Sequence, residues 1–311
     1  MTTQTLSGVA PQDPSLQVIM SERRRLIAVA YRMLGSVADA EDVVQETYVR
    51  WFAMPPEQRE TIETPGAWLT KVASRICLDV LGSARVRRES YVGEWVPEPM
   101  PGGRDWVNGR WDGTSLDPAD RVTLDESISM AFLVVLESMT PAERVSFILH
   151  DVFRYSFVEV AEVVGRTPEA CRQLASRARR HVAASHESGP APADRAEIVR
   201  QFKDAWAAQD IDALVALLTP DASTVADGGG VVSALPRPVV GAEAIASRFA
   251  AMATVSHQQV VLEATVNGQP GLVAQQDGVT VTVLAFDVVG DRISRIWAVR
   301  NPEKLRSWAT S

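Results

Sequence analysis

From Ser156 to Val182 the chain reads SFVEVAEVVGRTPEACRQLASRARRHV, and this stretch leaves little conformational freedom. Ser156 and Glu159 form an S-x-x-E capping box, in which hydroxyl and carboxylate each satisfy a free N–H at a helix start. Gly165 suits a helix stop. Thr167 then caps a second helix whose first position, Pro168, needs no N–H. Two helices joined by so short a turn predict a helix-turn-helix. The second helix is cationic: Arg166, Arg172, Arg177, Arg179 and Arg180 stand against one acid, Glu169, in a chain of formal net charge −8. Ala170, Leu174, Ala178 and Val182 repeat every fourth residue and suit an inward face, with Cys171 and Ala175 competing for it. Arg172, Gln173, Ser176, Arg177 and Arg180 then look outward. In this motif the second helix enters the DNA major groove, where Arg is bidentate to guanine and Gln to adenine, each pair discriminating by ~1–3 kcal/mol. DNA is the expected partner of that face.

The remaining chain divides by its patterning. Residues 16–54 read as helices broken at GSVADAED, with Leu26, Ala30 and Leu34 in register and Val44, Tyr48 and Trp51 resuming it. Thr64 and Pro65 open another helix, marked by Trp68, Val72, Ile76 and Val80. That helix carries Lys71, Arg75, Arg85, Arg87 and Arg88, a second basic patch suited to phosphates, near the aromatics Tyr48, Trp51 and Trp68. At helical spacing Tyr48 and Trp51 are expected in the core. Residues 91–117 lose all periodicity, are acidic and rich in Pro and Gly, and are expected to form a flexible linker. Residues 118–186 form the second helical block, which includes a further capping box, TPAE, at 140–143. After ESGPAPAD the grammar changes. Two amphipathic helices over 194–218 precede strand-like runs (VVSAL, QVVLEATV, LVAQQ, VTVTVLAF, ISRIWAV), with one helix at 241–252. Turn signals NGQPG, QDG and VGDR predict antiparallel hairpins, so residues 194–311 are expected to be an α+β domain.

Bulk properties exclude some classes. No run approaches the roughly 18 apolar residues of a membrane helix, and MTTQTLSGVAPQDPSLQ has no signal-peptide pattern, so a cytoplasmic protein without a membrane partner is expected. Cys77 and Cys171 are expected as buried free thiols. The four histidines form no ligand spacing with them, so neither a metal nor a cofactor is expected.

GSVADAEDVVQETYVRWF, residues 35–52, gathers Asp39, Glu41, Asp42, Gln45 and Glu46 on one helical stretch that is apolar on its other face. It resembles region 2 of bacterial sigma factors of the extracytoplasmic-function (ECF) group. That resemblance implies docking of this helix on the clamp helices of core RNA polymerase. TPGAWLTKVASRICLDVLGSARVRR is similar to the following segment, which contacts and opens the −10 promoter element. MTPAERVSFILHDVFRYSFVEVAEVVGRTPEACRQLASRARRHV is similar to region 4, which reads the −35 element beside the polymerase flap. YVGEWVPEP (with Trp95 and Pro97), DGGG (Asp227 and Gly228) and NPEKL (Asn301, Pro302 and Lys304) resemble marks of the SigJ-like ECF subgroup, which carries a fused C-terminal SnoaL-like domain with the cone fold of nuclear transport factor 2. The family form of the second motif continues with Lys where this chain has Val231.

The resemblance implies two all-α sigma domains (14–90 and 118–186, the latter the helix-turn-helix), joined by the 91–117 linker, and an α+β cone domain (194–311) that regulates them in cis. NPEKL is expected to dock on the linker, making Trp95, Pro97, Asp227, Gly228, Asn301, Pro302 and Lys304 regulatory residues. Relatives of the cone fold use an Asp or His as general base, for which Asp227, Asp287 and His257 are the local candidates. No acid–base pair can be placed among them, so no enzyme and no catalytic residue is expected. Whether the domain takes a small ligand stays open. Two other readings stand beside the sigma factor: a ligand-sensing helix-turn-helix regulator, and a SnoaL-like cyclase or isomerase. The acidic 35–52 helix argues against both, since neither needs a polymerase-docking surface.

Overall fold

Several helix starts in this chain are closed by side chains. In the computed structural model, which describes residues 14–89, 91–102, 128–185, 192–255 and 259–309, Ser36 Oγ accepts from the Asp39 N–H at 3.2 Å and opens helix α2 (Val37–Ala53) after α1 (Pro14–Leu34). A short α3 (Pro56–Glu60) leads to the long α4 (Pro65–Glu89). Leu26, Ala30, Met33, Val43, Val44, Leu69, Ala73 and Cys77 are buried between α1, α2 and α4. Trp51 is buried too and meets Trp68 edge-on at 5.2 Å, while the Tyr48 hydroxyl donates to Ile19 O at 3.0 Å. These aromatics hold the bundle together.

The second helical block follows with α5 (Met130–Glu137) and α6 (Pro141–Phe147), a π-turn over Ile148–Val152, α7 (Phe157–Val164) and α8 (Pro168–Ser185). Thr140–Glu143 and Ser156–Glu159 both form complete capping boxes. Gly165 ends α7 at φ 69°, a left-handed conformation that only glycine adopts at no steric cost. The inward stripe of α8 is Cys171, Ala175 and Ala178 rather than the 170–174–178–182 row, of which Ala170, Leu174 and Val182 are half-buried. Small side chains on that stripe let α8 approach α6 closely. Both helical blocks share one continuous apolar core, so they are packed together rather than strung apart.

Helices α9 (Pro192–Ala207) and α10 (Ile211–Ala216) then lead into a mixed sheet. Its strands are β1 (Leu218–Asp227), β2 (Val239–Val240), β3 (Gln259–Val266), β4 (Gln269–Gln276), β5 (Val279–Val289) and β6 (Arg292–Val299), in the order β2-β1-β6-β5-β4-β3. β3 to β6 form an antiparallel meander; β1 joins β6 in parallel. Helix α11 (Ala242–Val255) crosses one face with α9, burying Phe202, Trp206, Ile245, Phe249, Leu284 and Phe286. The alternate residues of the strands, Val273, Val283, Ala285, Trp297 and Val299, form a second cluster on the opposite face with Val96, Met130 and Leu305. The helical part of the chain is therefore packed on the back of the sheet.

The structure departs from sequence expectation at three further places. VVSAL is not a strand but part of a loop, because Gly229 and Gly230 turn the chain at φ 65° and 72° and the Val231 and Val232 N–H groups both fold back onto Gly228 O at 3.1 Å. Strand β1, whose TPDAS start reads as a turn, was not anticipated. The largest difference is at 91–117. Residues 103–117 lie outside the described residues, but 91–102 are no flexible linker: Val96 to Met100 are all buried.

The reason is an alternation. Pro97, Pro99 and Pro101 have no N–H to satisfy, and their fixed φ favours an extended chain. Every intervening N–H finds an acceptor: Val96 on Asp227 Oδ2 (3.0 Å), Glu98 on Gly35 O (2.8 Å), Met100 on Asn267 Oδ1 (2.9 Å) and Gly102 on Thr265 O (2.9 Å). A buried strand of prolines is thus left with no orphan donor. This strap lies between the first helical block and the sheet.

Candidate functional site

Two exposed surfaces and one buried cluster carry the chemistry. On α2, Asp42, Gln45 and Glu46 are exposed, Glu41 and Asp39 half-buried. Glu41 pairs with Arg23 at 3.5 Å and Glu46 with Arg50 at 2.9 Å, both in solvent, where such pairs contribute little. Val49 and Phe52 continue the same helical row, 62% and 46% exposed. Sequence reasoning missed these two, although the period that placed Asp42, Gln45 and Glu46 on one face also places them there. The row is acidic at one end and apolar at the other.

On α8, Arg172, Gln173, Ser176, Arg177 and Arg180 are all exposed, on the side opposite Cys171, Ala175 and Ala178. Arg172 lies 5.1 Å over the Phe157 ring of α7. The basic residues of α4 are placed differently. Lys71 Nζ is 2.5 Å from Glu162 Oε2 and Arg75 donates to Glu162 O at 2.6 Å, so both reach across to α7. The Lys71 ammonium, and after it Arg75, holds the Glu162 carboxyl below the ordinary carboxylate range. Arg85, Arg87 and Arg88 belong to the last turns of α4, whose side chains lie outside the described residues.

The contact between the helical blocks extends beyond Glu162. Arg25 donates to the Tyr155 hydroxyl at 2.6 Å, and Arg144, 3% exposed, donates to Met33 O and to Glu137 Oε1, both at 2.8 Å. Burial lowers the Arg144 pKa to about 10. Its guanidinium accordingly serves the carbonyl end of α1, where a helix dipole favours a cation.

The buried cluster is built on Asp227 at the end of β1. Its carboxylate, 0% exposed, accepts from Lys304 Nζ (2.7 Å), the Tyr91 hydroxyl (2.6 Å), and the Val96 and Gly229 N–H groups (both 3.0 Å). Lys304 also donates to Val96 O at 2.5 Å and lies 4.2 Å from the Trp95 ring centre. Asn301 Nδ2 donates to the Tyr91 hydroxyl at 3.0 Å, and a Cβ at Gly229 would collide with the Asn301 carboxamide. Burial and the Asp227 charge push the Tyr91 phenol pKa up. The terminal turn, Pro302–Trp308, adds Trp308 Nε1 on Pro99 O at 2.8 Å. Asp227, Asn301 and Lys304 thus form a clasp around the strap, with Trp95 inside it; Pro97 is buried against Gly35, and Gly228 shapes the turn. Pro302 is exposed at the first position of that turn, and Val231 is 73% exposed.

Four further residues in this junction escaped sequence reasoning. Glu98 caps α2 through Val37 N–H (2.8 Å), and its carbonyl accepts from the buried Tyr31 hydroxyl (2.7 Å). Asn267, fully buried at φ 51°, donates to both Tyr31 Oη (2.7 Å) and Ile128 O (2.8 Å). Tyr91 completes the set. The NG turn announced Asn267 as a hairpin residue, but nothing local told that its carboxamide would reach the helical block. Of the base candidates, Asp227 is fully engaged, Asp287 accepts from Ser294 Oγ at 3.1 Å, and His257 lies outside the described residues.

Comparison with known proteins fits this division. Residues 18–88 match the family model for Sigma-70 region 2, 129–182 that for Sigma-70, region 4, and 199–303 that for the SnoaL-like domain. The chain is 38% identical over 297 residues to the "ECF RNA polymerase sigma factor SigJ" of Mycobacterium tuberculosis, covering 91% of this chain and 90% of the relative. This chain belongs to the ECF sigma factors. A second member, the "Probable ECF RNA polymerase sigma factor SigI" of M. tuberculosis, is 34% identical over 96% of this chain and 97% of its own length. The crystal structure of M. tuberculosis SigJ superposes with a TM-score of 0.70 at 35% identity, covering 94% of this chain and 98% of that one. The sigma factor fold here is two helical domains followed by a SnoaL-like α+β domain. Among the described residues no helix is long and apolar enough to cross a membrane.

Proposed function

We propose that this sigma factor binds core RNA polymerase in the cytoplasm through Asp39, Glu41, Asp42, Gln45 and Glu46 on the clamp helices, with region 4 beside the flap, and starts transcription at promoters with −10 and −35 elements. Region 2 is assigned to residues 14–90 and region 4 to 118–186, with the non-catalytic regulatory domain at 194–311. Arg172, Gln173, Ser176, Arg177 and Arg180 read the −35 element; Lys71, Arg75, Arg85, Arg87 and Arg88 hold the −10 region. The observation that carries the reading is the α8 surface: five potential base- and phosphate-contacting side chains, all exposed on the second helix of a helix-turn-helix in an acidic chain.

Two elements about 25 base pairs apart lie ~85 Å from one another along B-DNA. Regions 2 and 4 packed on a shared core do not span that distance, since a 100-residue domain has a radius of gyration of only ~13 Å. The closed arrangement is therefore a resting form, and Lys71 and Arg75 must leave Glu162 before they meet DNA. The clasp, which fixes the strap between region 2 and the sheet, holds this form in cis, with Trp95, Pro97, Asp227, Gly228, Asn301, Pro302 and Lys304 as its regulatory residues.

The test is promoter reading. Arg172→Ala and Arg177→Ala are expected to lower transcription from the cognate promoter, and at least one to relax preference at a single −35 base pair, worth ~1–3 kcal/mol. A pure phosphate contact would instead weaken all sequences alike and flatten the salt dependence. Unchanged transcription by both variants across a −35 library would remove α8 as the reading helix.

A further inference from the structure

The concave face of the sheet is hollow. Ala226, Ala298 and Leu284 are paired neighbours across β1, β6 and β5, and Ala274 pairs with Thr282 across β4 and β5. Alanines at these positions leave unfilled the space between the sheet and α9 and α11, where larger side chains would have closed the core. The result is a cavity of about 430 Å³, faced on the helix side by Trp206, Phe249 and Met252. Small-molecule sites in proteins enclose about 300–1,000 Å³ and combine apolar walls with few polar groups.

The polar groups here share one character. Arg248 and Arg300 line the cavity, and among the described residues no Asp or Glu does. Arg248 is exposed and has no ion pair among the described residues. Arg300 gives one Nη1 hydrogen bond to Ser233 O at 2.5 Å, yet its Nε is buried with no partner among the described residues. Thr224 and Thr282 lie in the wall as well, 2% and 6% exposed. A buried donor without a partner is costly, and two guanidinium groups with no described carboxylate beside them give the cavity a net positive field.

We infer that this cavity is a binding site for a small apolar anion: a hydrocarbon or aromatic body seated on the alanine wall and against Trp206 and Phe249, with a carboxylate or sulfonate head on Arg248 and Arg300. The loop that closes the site runs on from Asp227, and the Arg300 N–H donates to Asp227 O at 2.7 Å, so the site adjoins the clasp. Binding itself does not depend on the clasp reading or on transcription.

The experiment titrates the full-length chain with 1-anilinonaphthalene-8-sulfonate and, in parallel, with N-phenyl-1-naphthylamine, which has the same aromatic body without the sulfonate. The anion is expected to bind one to one and at least tenfold more tightly than the neutral probe. Arg248→Gln combined with Arg300→Gln should erase that tenfold preference while the neutral probe still binds. Ala298→Phe, which fills the hollow, should abolish binding of both probes; Ala274→Leu on the neighbouring strand is measured beside it, so that a folding failure of one variant, seen in circular dichroism, leaves the other to decide. Equal affinity for the two probes, or anion binding that survives filling of the cavity, would overturn the assignment.

Discussion

Lys304→Met is expected to open the clasp and free the strap. The substitution keeps an unbranched side chain but removes the ammonium from over the Trp95 ring and from a carboxylate that is 0% exposed. Taking one partner from a buried ion pair costs about 3–5 kcal/mol, because the remaining charge keeps its desolvation penalty and loses its compensation. Tyr91, Val96 and Gly229 still donate to Asp227, which places the cost at the lower end. The loss falls on the junction and not on either core: the Lys304 bonds run to Asp227 and to Val96 O, where the terminal turn grips the strap. Hydrogen exchange should therefore accelerate at the Val96, Glu98 and Met100 amides, while the core amides of α1 and α6 hold. Asp227→Asn should recover part of the loss when added to Lys304→Met, since neither charge is then left alone. At matched protein levels the clasp variant should raise transcription from the cognate promoter, and deletion of everything after about residue 190 should change it differently, because the back of the sheet also supports α5 through Met130. Unaltered exchange at 96–100 in Lys304→Met would show that the ion pair does not hold the strap.

Reversing the charge of α2 should have a comparably large effect on assembly. Asp42→Lys with Glu46→Lys turns two exposed acids into cations, and in the proposed docking on a basic clamp surface attraction then becomes like-charge repulsion. Binding to core RNA polymerase should weaken by tenfold or more, that is by at least ~1.4 kcal/mol, chiefly through slower association at low salt. The fold should not suffer: both side chains are exposed, and exposed substitutions rarely shift stability beyond ~0.5 kcal/mol. The Glu46–Arg50 pair that is lost is a solvent-exposed i, i+4 contact of a few tenths of a kcal/mol. Phe52→Ser, three turns along the same row, tests the apolar end independently, because its effect should persist at high salt where that of the charges fades. Folded double variants that bind core enzyme as the parent does would remove α2 as the docking helix.

What could be read in the sequence was what short-range chemistry decides. Capping boxes at Thr140 and Ser156, the Gly165 stop and the exposed arginines of α8 depend on residues within a turn or two, and each stands where its pattern placed it. The strap could not be read that way. Its acceptors sit at Gly35, Asp227, Thr265 and Asn267, scattered across the chain, so a stretch with every donor satisfied looks on paper like one with none. VVSAL failed for a related reason: β-branched residues suit a strand, but the turn at Gly229, set by the close approach of Asn301, removes them from the ladder. The motif residues of the clasp, and Glu98 beside them in YVGEWVPEP, carried a family signature, whereas Tyr31 and Asn267 carried none, and their roles are set by packing between domains.

The most direct measurement is reconstituted transcription: purified full-length chain, core RNA polymerase free of other sigma factors, and a library of genomic fragments from the source organism, with transcript start sites mapped. The expected result is a set of new starts, absent without the chain, that share two short upstream elements near −10 and −35, together with co-migration of the chain and core enzyme. Failure of the chain to co-migrate with core polymerase, with no start site added to those of core enzyme alone, would contradict the account at its centre.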